Sequence, residues 1–217
     1  MYMPYYAVET FAVKNKKQQI HLERSKQIIE RIGTGGTVVS LTGPLLDMHW
    51  VYFRDILGPY SKFIAVEWNK DLAKELRIRV PKITKDSRLE VVESDVWDVL
   101  LNPELFSYAG PLQVIDLDFC CTPTALLKSG FYEKLTELAK SPHLRARGIA
   151  LIISLCTRNE QSNELLQSRG LPADIEDIFL KAGWKSRGQE ILPYKEGAPM
   201  WQYFGCFKKI YTRSMIA

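Results

Sequence analysis

Five short apolar runs, at 37–42, 63–66, 89–92, 112–117 and 148–155, are each followed by a turn or helix signal before the next begins. The intervening stretches at 19–32, 45–57, 131–140 and 172–182 have apolar residues at helical spacing. Leu22, Ile28, Ile29 and Ile32 mark the first, and Ile175, Ile178, Phe179 and Ala182 the last. A chain that alternates strand and helix in this way is driven to a parallel sheet with helices on both faces, because parallel neighbours need a crossover connection. The chain then closes with two strand-like runs in succession, 184–192 and 201–211, joined by a loop at 193–199. Such a pair reads as a hairpin that places an antiparallel strand in an otherwise parallel sheet. The expected fold is therefore α/β and doubly wound.

The length of 217 residues suits one domain with a short appendage. Residues 1–18, aromatic and then basic, read as an N-terminal arm, and 19–217 as the domain. Hydrophobic residues at 46% and charged residues at 25% exclude a disordered chain. No apolar run approaches the roughly 20 residues of a membrane span, and the first residues lack a signal pattern. The cysteines, Cys120, Cys121, Cys156 and Cys206, have no zinc-site spacing and are expected to be reduced, which points to the cytoplasm. His21, His49 and His143 also lack ligand spacing, so no metal is expected. A net charge of +4, with basic clusters at 14–17, 77–88 and 208–213, permits a polyanionic partner without requiring one. The glycines at 33, 35 and 36 precede a strand rather than follow one, so they do not form a dinucleotide-binding loop.

Four of the apolar runs end in small, acidic or aromatic residues: Leu41, Thr42 and Gly43 after the first, Glu67 and Trp68 after the second, Asp95 and Val96 after the third, and Asp116 to Cys121 after the fourth. In a parallel sheet these ends share one edge, where open α/β sheets bind their ligands. Each group suits an adenosine nucleoside. A small residue lets the backbone approach it, and an acid at 67 accepts from ribose hydroxyls. Trp68 offers a flat face to the purine. Asp95 accepts from the adenine amino group while the Val96 N–H donates to the ring.

With this ordered set the chain resembles the class I S-adenosylmethionine-dependent methyltransferases over about residues 37–211. The resemblance implies a Rossmann-like seven-stranded sheet with the closing antiparallel hairpin, and S-adenosyl-L-methionine as cofactor. It implies that Leu41, Thr42 and Gly43 form the first motif, that Glu67 and Trp68 hold the ribose and base, and that Asp95 and Val96 contact adenine. This chain has a single glycine in the first motif, and Asp47, one turn on, is a candidate displaced acid.

The run Ile115-Asp116-Leu117-Asp118-Phe119-Cys120-Cys121-Thr122-Pro123 is similar to the Ile-Asp-x-Asp-Pro-Phe/Tyr-Gly-Ser-Pro of tRNA guanine dimethyltransferases. That likeness implies a nucleic-acid base amine as acceptor and Asp116, Asp118 and Phe119 as catalytic residues. Asp118 orients the amine and Phe119 stacks on the base. A second likeness is to RNA cytosine-C5 methyltransferases, with Cys156 as nucleophile and Cys121 assisting release. A binding module that has lost its cofactor is the non-enzymatic alternative. Tyr194, in the expected loop between the last strands, is a candidate for the substrate mouth.

Overall fold

The computed structural model describes residues 16–119, 121–145, 147–157, 170–196 and 198–210. The element order is α1 (Lys16–Ile32), β1 (Thr37–Ser40), α2 (Leu46–Phe53), β2 (Phe63–Glu67), α3 (Lys70–Ile83), β3 (Leu89–Glu93), α4 (Val96–Leu100), α5 (Pro103–Ala109), β4 (Leu112–Asp118), α6 (Pro123–Lys128), α7 (Phe131–Lys140), β5 (Ile149–Cys156), α8 (Gly170–Lys181), β6 (Trp184–Glu196) and β7 (Ala198–Lys209). The strands make one seven-stranded sheet in the order β3-β2-β1-β4-β5-β7-β6. The first five are parallel, and β7 lies antiparallel to both β5 and β6. The expected doubly wound, mostly parallel sheet with its C-terminal hairpin is what the chain forms.

The two faces of the sheet carry separate cores. Val39, Ile64, Ile115, Leu117, Leu151, Ile153 and Leu155 pack beneath α4 to α8, with Trp97, Phe131, Leu135 and Phe179. Val38, Phe63, Ala65, Val114, Ala150 and Ile152 pack beneath α1 to α3, with Ile28, Trp50, Phe53 and Leu76. Strict alternation along each strand divides its side chains between the cores, so a strand buried on both sides is apolar at nearly every position.

Several boundaries differ from the sequence expectation. The loop expected at 193–199 is strand: pairing continues from Pro193↔Trp201 to Glu196↔Ala198, and Tyr194 is buried rather than placed on a loop. Pro193 is compatible with this because β6 is an edge strand, where a missing N–H breaks no ladder on its outer side. Pro103, which reads in sequence as a helix stop, instead starts one. Asn102 accepts hydrogen bonds from the N–H groups of Glu104 and Leu105 at 3.0 and 3.4 Å, and proline sits at the position where its missing donor costs nothing. Thr122 caps α6 in the same way through Ala125 N–H, again just ahead of a proline. The single helix expected over 45–57 is α2 flanked by 3₁₀ turns at Gly43–Leu45 and Arg54–Ile56.

The first helix begins at Lys16, inside the stretch read as an arm, and buries only part of the face expected: Ile28 and Ile32 turn inward as the spacing predicts. Leu22 and Ile29 are 40% and 39% exposed, while His21, Arg24 and Ser25 are buried with Ile20, Ile28 and Ile32. Apolar spacing misplaces Leu22 and Ile29 because the inward face also carries polar groups that find partners inside the fold.

The turn from α1 into β1 is tightly packed. A Cβ built on Gly36 lies 2.3 Å from Gln113 Cβ and 2.7 Å from its Oε1, and Gln113 is held by a hydrogen bond from its Nε2 to the Gly33 carbonyl at 2.6 Å. Gly36→Ala is therefore expected to cost about 2 kcal/mol through overpacking, read as a lower urea midpoint at unchanged slope.

Candidate cofactor and acceptor site

Because β1 to β5 are parallel, their carboxyl ends share one edge, and the chain order reverses on either side of β1. From β1 the chain proceeds outward to β2 and β3, then returns to β4 and proceeds outward to β5 on the other side. The crevice between the ends of β1 and β4 is thus the topological switch point of the sheet, the usual place for a ligand in an open α/β fold. Leu41 N–H donates to the Asp116 carbonyl at 2.9 Å, tying the ends of β1 and β4, and Ser94 N–H donates to the Glu67 carbonyl at 3.2 Å, tying those of β2 and β3.

On the β1 side, Gly43 takes a positive φ of 49° at the start of the 3₁₀ turn, and a Cβ built there meets nothing within 4 Å. Its surface faces open space, as backbone that a ligand approaches should. Leu41 is half-buried against the core, and Thr42 is buried, its carbonyl accepting from Leu45 N–H at 3.1 Å. Arg79 of α3 braces this turn, donating to the Pro44 carbonyl at 3.0 Å and to Asp47 at 2.9 Å. Asp47, the candidate displaced acid, is therefore engaged with Arg79.

Glu67 closes β2 with its side chain buried, and its Oε1 accepts from Asn69 N–H at 2.8 Å. Trp68 follows it 79% exposed, its ring available to a flat partner. Asp95 is exposed and caps α4, its Oδ1 accepting from Trp97 N–H at 2.8 Å, while Val96 begins the helix and is buried. The cap leaves Asp95 Oδ2 outside that hydrogen bond.

On the β4 side, Asp118 ends the strand half-buried, in register with Ser154 of β5. Phe119 is half-buried beside it, its N–H bonded to the Ser154 carbonyl at 3.0 Å. Cys156 N–H donates to the Cys121 carbonyl at 3.0 Å, so the two cysteines of the alternative reading sit at neighbouring strand ends. Cys120 lies outside the described residues.

Asp116 has a different setting. It is fully buried, two residues back from the strand end, and its Oδ2 accepts from Ser40 Oγ at 2.8 Å and lies 3.0 Å from His49 Nδ1. Burial pushes its carboxyl pKa up, but the bond to His49, the charge of His21 and His49 and the bond from Ser40 outweigh it, and the net direction is down. The side chain points under α1 and α2, away from the edge where an acceptor would enter. Linear spacing gave the histidines no common role. The fold instead brings the His21 and His49 rings to 4.8 Å between centres, tilted by 52°, and the donor atoms of His21, His49 and Asp116 within 4.8 Å of one another. The one sequence signal for this was that His21, Arg24, Ser25 and Ile28 share a helix face.

The basic cluster at 77–88 is largely neutralised. Arg77 pairs with Glu93, Arg79 with Asp47 and Arg88 with Asp86. His143 packs flat on Phe106, with its Nε2 2.8 Å from the Leu100 carbonyl. A separate open groove of about 500 Å³, lined by Tyr132, Glu133, Thr136, Asp174, Asp177 and Ile178, shares no residue with the carboxyl edge.

No protein-family model matches the chain, and no curated protein matches it in sequence. Solved structures do match in three dimensions. The O-methyltransferase from Bacillus cereus in complex with SAH aligns with a TM-score of 0.53 at 11% identity, over 88% of this chain and 81% of that one. M. jannaschii TYW2 in complex with AdoMet aligns at 0.50 and 13% identity, over 91% and 80%. A protein in the NADB-Rossmann superfamily from Streptococcus agalactiae aligns at 0.50 and 12%, over 88% and 69%. Identities this low speak for the fold. The chain has the Rossmann-like fold of the class I S-adenosylmethionine-dependent methyltransferases, with its closing antiparallel strand in place.

Proposed function

We propose that this chain is an S-adenosyl-L-methionine-dependent methyltransferase whose acceptor is an exocyclic amine of a nucleic-acid base. The carrying observation is the assembly of Gly43, Glu67, Trp68, Asp95 and Asp118 along one carboxyl edge, at the switch point of a methyltransferase fold. The open space over Gly43 and the exposed Trp68 ring fit an adenosine cofactor, as does a buried acid at the end of β2. When bound, that cofactor supplies an electrophilic methyl group.

The residues of this chain do the rest. Glu67 accepts from the ribose hydroxyls, Trp68 covers the purine, and Asp95 Oδ2 with the Val96 N–H marks the adenine edge; Leu41, Thr42 and Gly43 form the floor beneath the amino-acid end. Asp118 accepts a hydrogen bond from the acceptor amine, aligning its lone pair, and takes up the proton that the nitrogen sheds as it gains the methyl group, while Phe119 stacks on the base. Asp116 acts from behind, fixing the end of β4 through Ser40 and His49. The reduced thiols of Cys156 and Cys206 fit a reducing compartment, and the cytoplasm is the compartment we infer. No helix among the described residues is long and apolar enough to cross a membrane.

Calorimetric titration with S-adenosylhomocysteine tests the reading. Micromolar binding supports it, and no binding at millimolar ligand would reduce the domain to a module without cofactor. Glu67→Ala is expected to weaken that binding about thirtyfold, the loss of a charge-assisted hydrogen bond worth roughly 2 kcal/mol. A second reading, cytosine-C5 transfer, draws on the adjacency of Cys121 and Cys156. It requires Cys156→Ser to abolish transfer, whereas the amine reading expects that variant to keep it.

A further inference from the structure

The buried cluster beneath α1 and α2 plays no direct part in the proposed transfer, and its geometry has a use of its own. We propose that His21, His49 and Asp116 ligate a divalent transition-metal ion of the zinc class, which clamps α1 and α2 to the end of β4. The inference is independent of the methyltransferase reading.

The three side chains come from separate elements and converge on one point in the interior. His21 and His49 are each 1% exposed, and Asp116 is 0% exposed. One donor atom from each lies within 4.8 Å of the other two, and His49 Nδ1 is 3.0 Å from Asp116 Oδ2. Zinc ligation at about 2.0–2.2 Å draws tetrahedral donors to within about 3.5 Å of one another, so the widest gap must close by roughly 1 Å. The Ser40 hydroxyl, 2.8 Å from Asp116 Oδ2 and 3.2 Å from His49 Nδ1, stands where a fourth donor or a bound water belongs.

A second observation points to a ligand. Asp116 Oδ1 is buried and receives no hydrogen bond from any described residue, while Oδ2 is the atom that Ser40 and His49 share. A carboxylate oxygen sealed from water without a donor is costly, and buried charges are ordinarily paired or bound to metal. The rings are held for ligation as well. Tyr52 lies parallel to His21 at 6.2 Å and Phe53 meets it edge-on at 6.1 Å, which restricts imidazole rotation. Two imidazoles and one carboxylate suit a borderline ion, as opposed to calcium or magnesium, which take oxygen-rich shells. With every donor inside the core, the role is structural.

The test uses the full chain, stripped with chelator and titrated with Co²⁺ as the spectroscopic probe and then Zn²⁺. About one equivalent of Co²⁺ per chain is expected, with visible ligand-field bands of a tetrahedral site that Zn²⁺ abolishes. Melting temperature should rise with metal and fall back with chelator. His21→Ala and Asp116→Asn should each weaken binding by at least about tenfold, and His143→Ala should leave it unchanged. Should the site variants fail to fold, proton spectra of the Co²⁺-loaded wild type decide. Paramagnetically shifted N–H signals from two imidazoles support the site, and their absence overturns it. No binding by the wild-type chain, or binding that survives both site variants, also overturns it.

Discussion

Asp118→Ala is expected to leave affinity for S-adenosylhomocysteine within about twofold of wild type while lowering methyl transfer to a mixed nucleic-acid pool about a thousandfold. The two effects separate because the residue lies on the side of the crevice proposed for the acceptor. It terminates β4 in register with Ser154, whereas the groups assigned to the cofactor follow β1, β2 and β3. Only the side chain changes, since the main chain there stays pinned by the neighbouring strand and by Phe119 N–H to the Ser154 carbonyl. An oriented acceptor of charge contributes when the amine begins to lose its proton and little before, so the loss should fall on kcat more than on KM. Asp118→Asn keeps an oxygen to orient the amine but cannot gather the proton, and should retain part of the rate. Phe119→Ala should instead raise KM through the lost stacking surface. Transfer at wild-type rate by Asp118→Ala, with labelled methyl counted on isolated nucleic acid, would move the acceptor site away from β4.

Much of this was legible in the chain because alternation is a strong signal. Five apolar runs separated by helices allow few topologies, and the handedness of crossovers removes most of those. The strand-end residues were legible for the same reason, since a parallel sheet must put the ends of β1, β2, β3 and β4 on one edge. What stayed hidden was anything set by contact between distant segments. Asp116 read as a partner of Asp118 because the two stand one residue apart. The pleat sends both to one side of the sheet, but only Asp116 lies deep enough to be covered by α1 and α2. His21 and His49 are far apart in sequence and met no ligand pattern, although the fold brings their rings to 4.8 Å. Leu22 and Ile29 looked like the inner face of α1 because hydrophobicity was the only available guide. The true inner face mixes Ile20, Ile28 and Ile32 with the polar His21, Arg24 and Ser25, and the partners of Arg24 on β6 and β7 enter only when the hairpin closes.

Those partners give the second large effect. Arg24→Ala is expected to cost about 3 kcal/mol of stability, read as a lower urea midpoint. Arg24 is 2% exposed, and its guanidinium donates to Gln202 at 3.2 Å, to Gln27 at 2.8 Å and to Glu190 at 2.5 Å while lying 4.6 Å from the Phe204 ring centre. Truncation strands the Gln202 oxygen in the core, worth about 1–3 kcal/mol, and removes the buried aliphatic stem along with the guanidinium over Phe204, the stem worth roughly another 1 kcal/mol. Glu190 adds little to the loss, because its side chain is 39% exposed and Arg31 still reaches it at 2.7 Å. Arg24→Met, which keeps the stem, should therefore recover roughly 1 kcal/mol. The pH dependence carries the sign of the pair. Burial raises the Glu190 pKa, but the bonds from Arg24 and Arg31 outweigh it and hold the carboxyl below its ordinary 4.5. A depressed pKa contributes stability above the unfolded value that is lost as pH falls through the folded one. Wild type should thus lose stability below about pH 4.5 more steeply than Arg24→Ala, whose Glu190 keeps one cation instead of two. A loss under about 1 kcal/mol, with an unchanged acid limb, would mean that α1 does not dock on the hairpin through this face, and the cover over Asp116 would go with it.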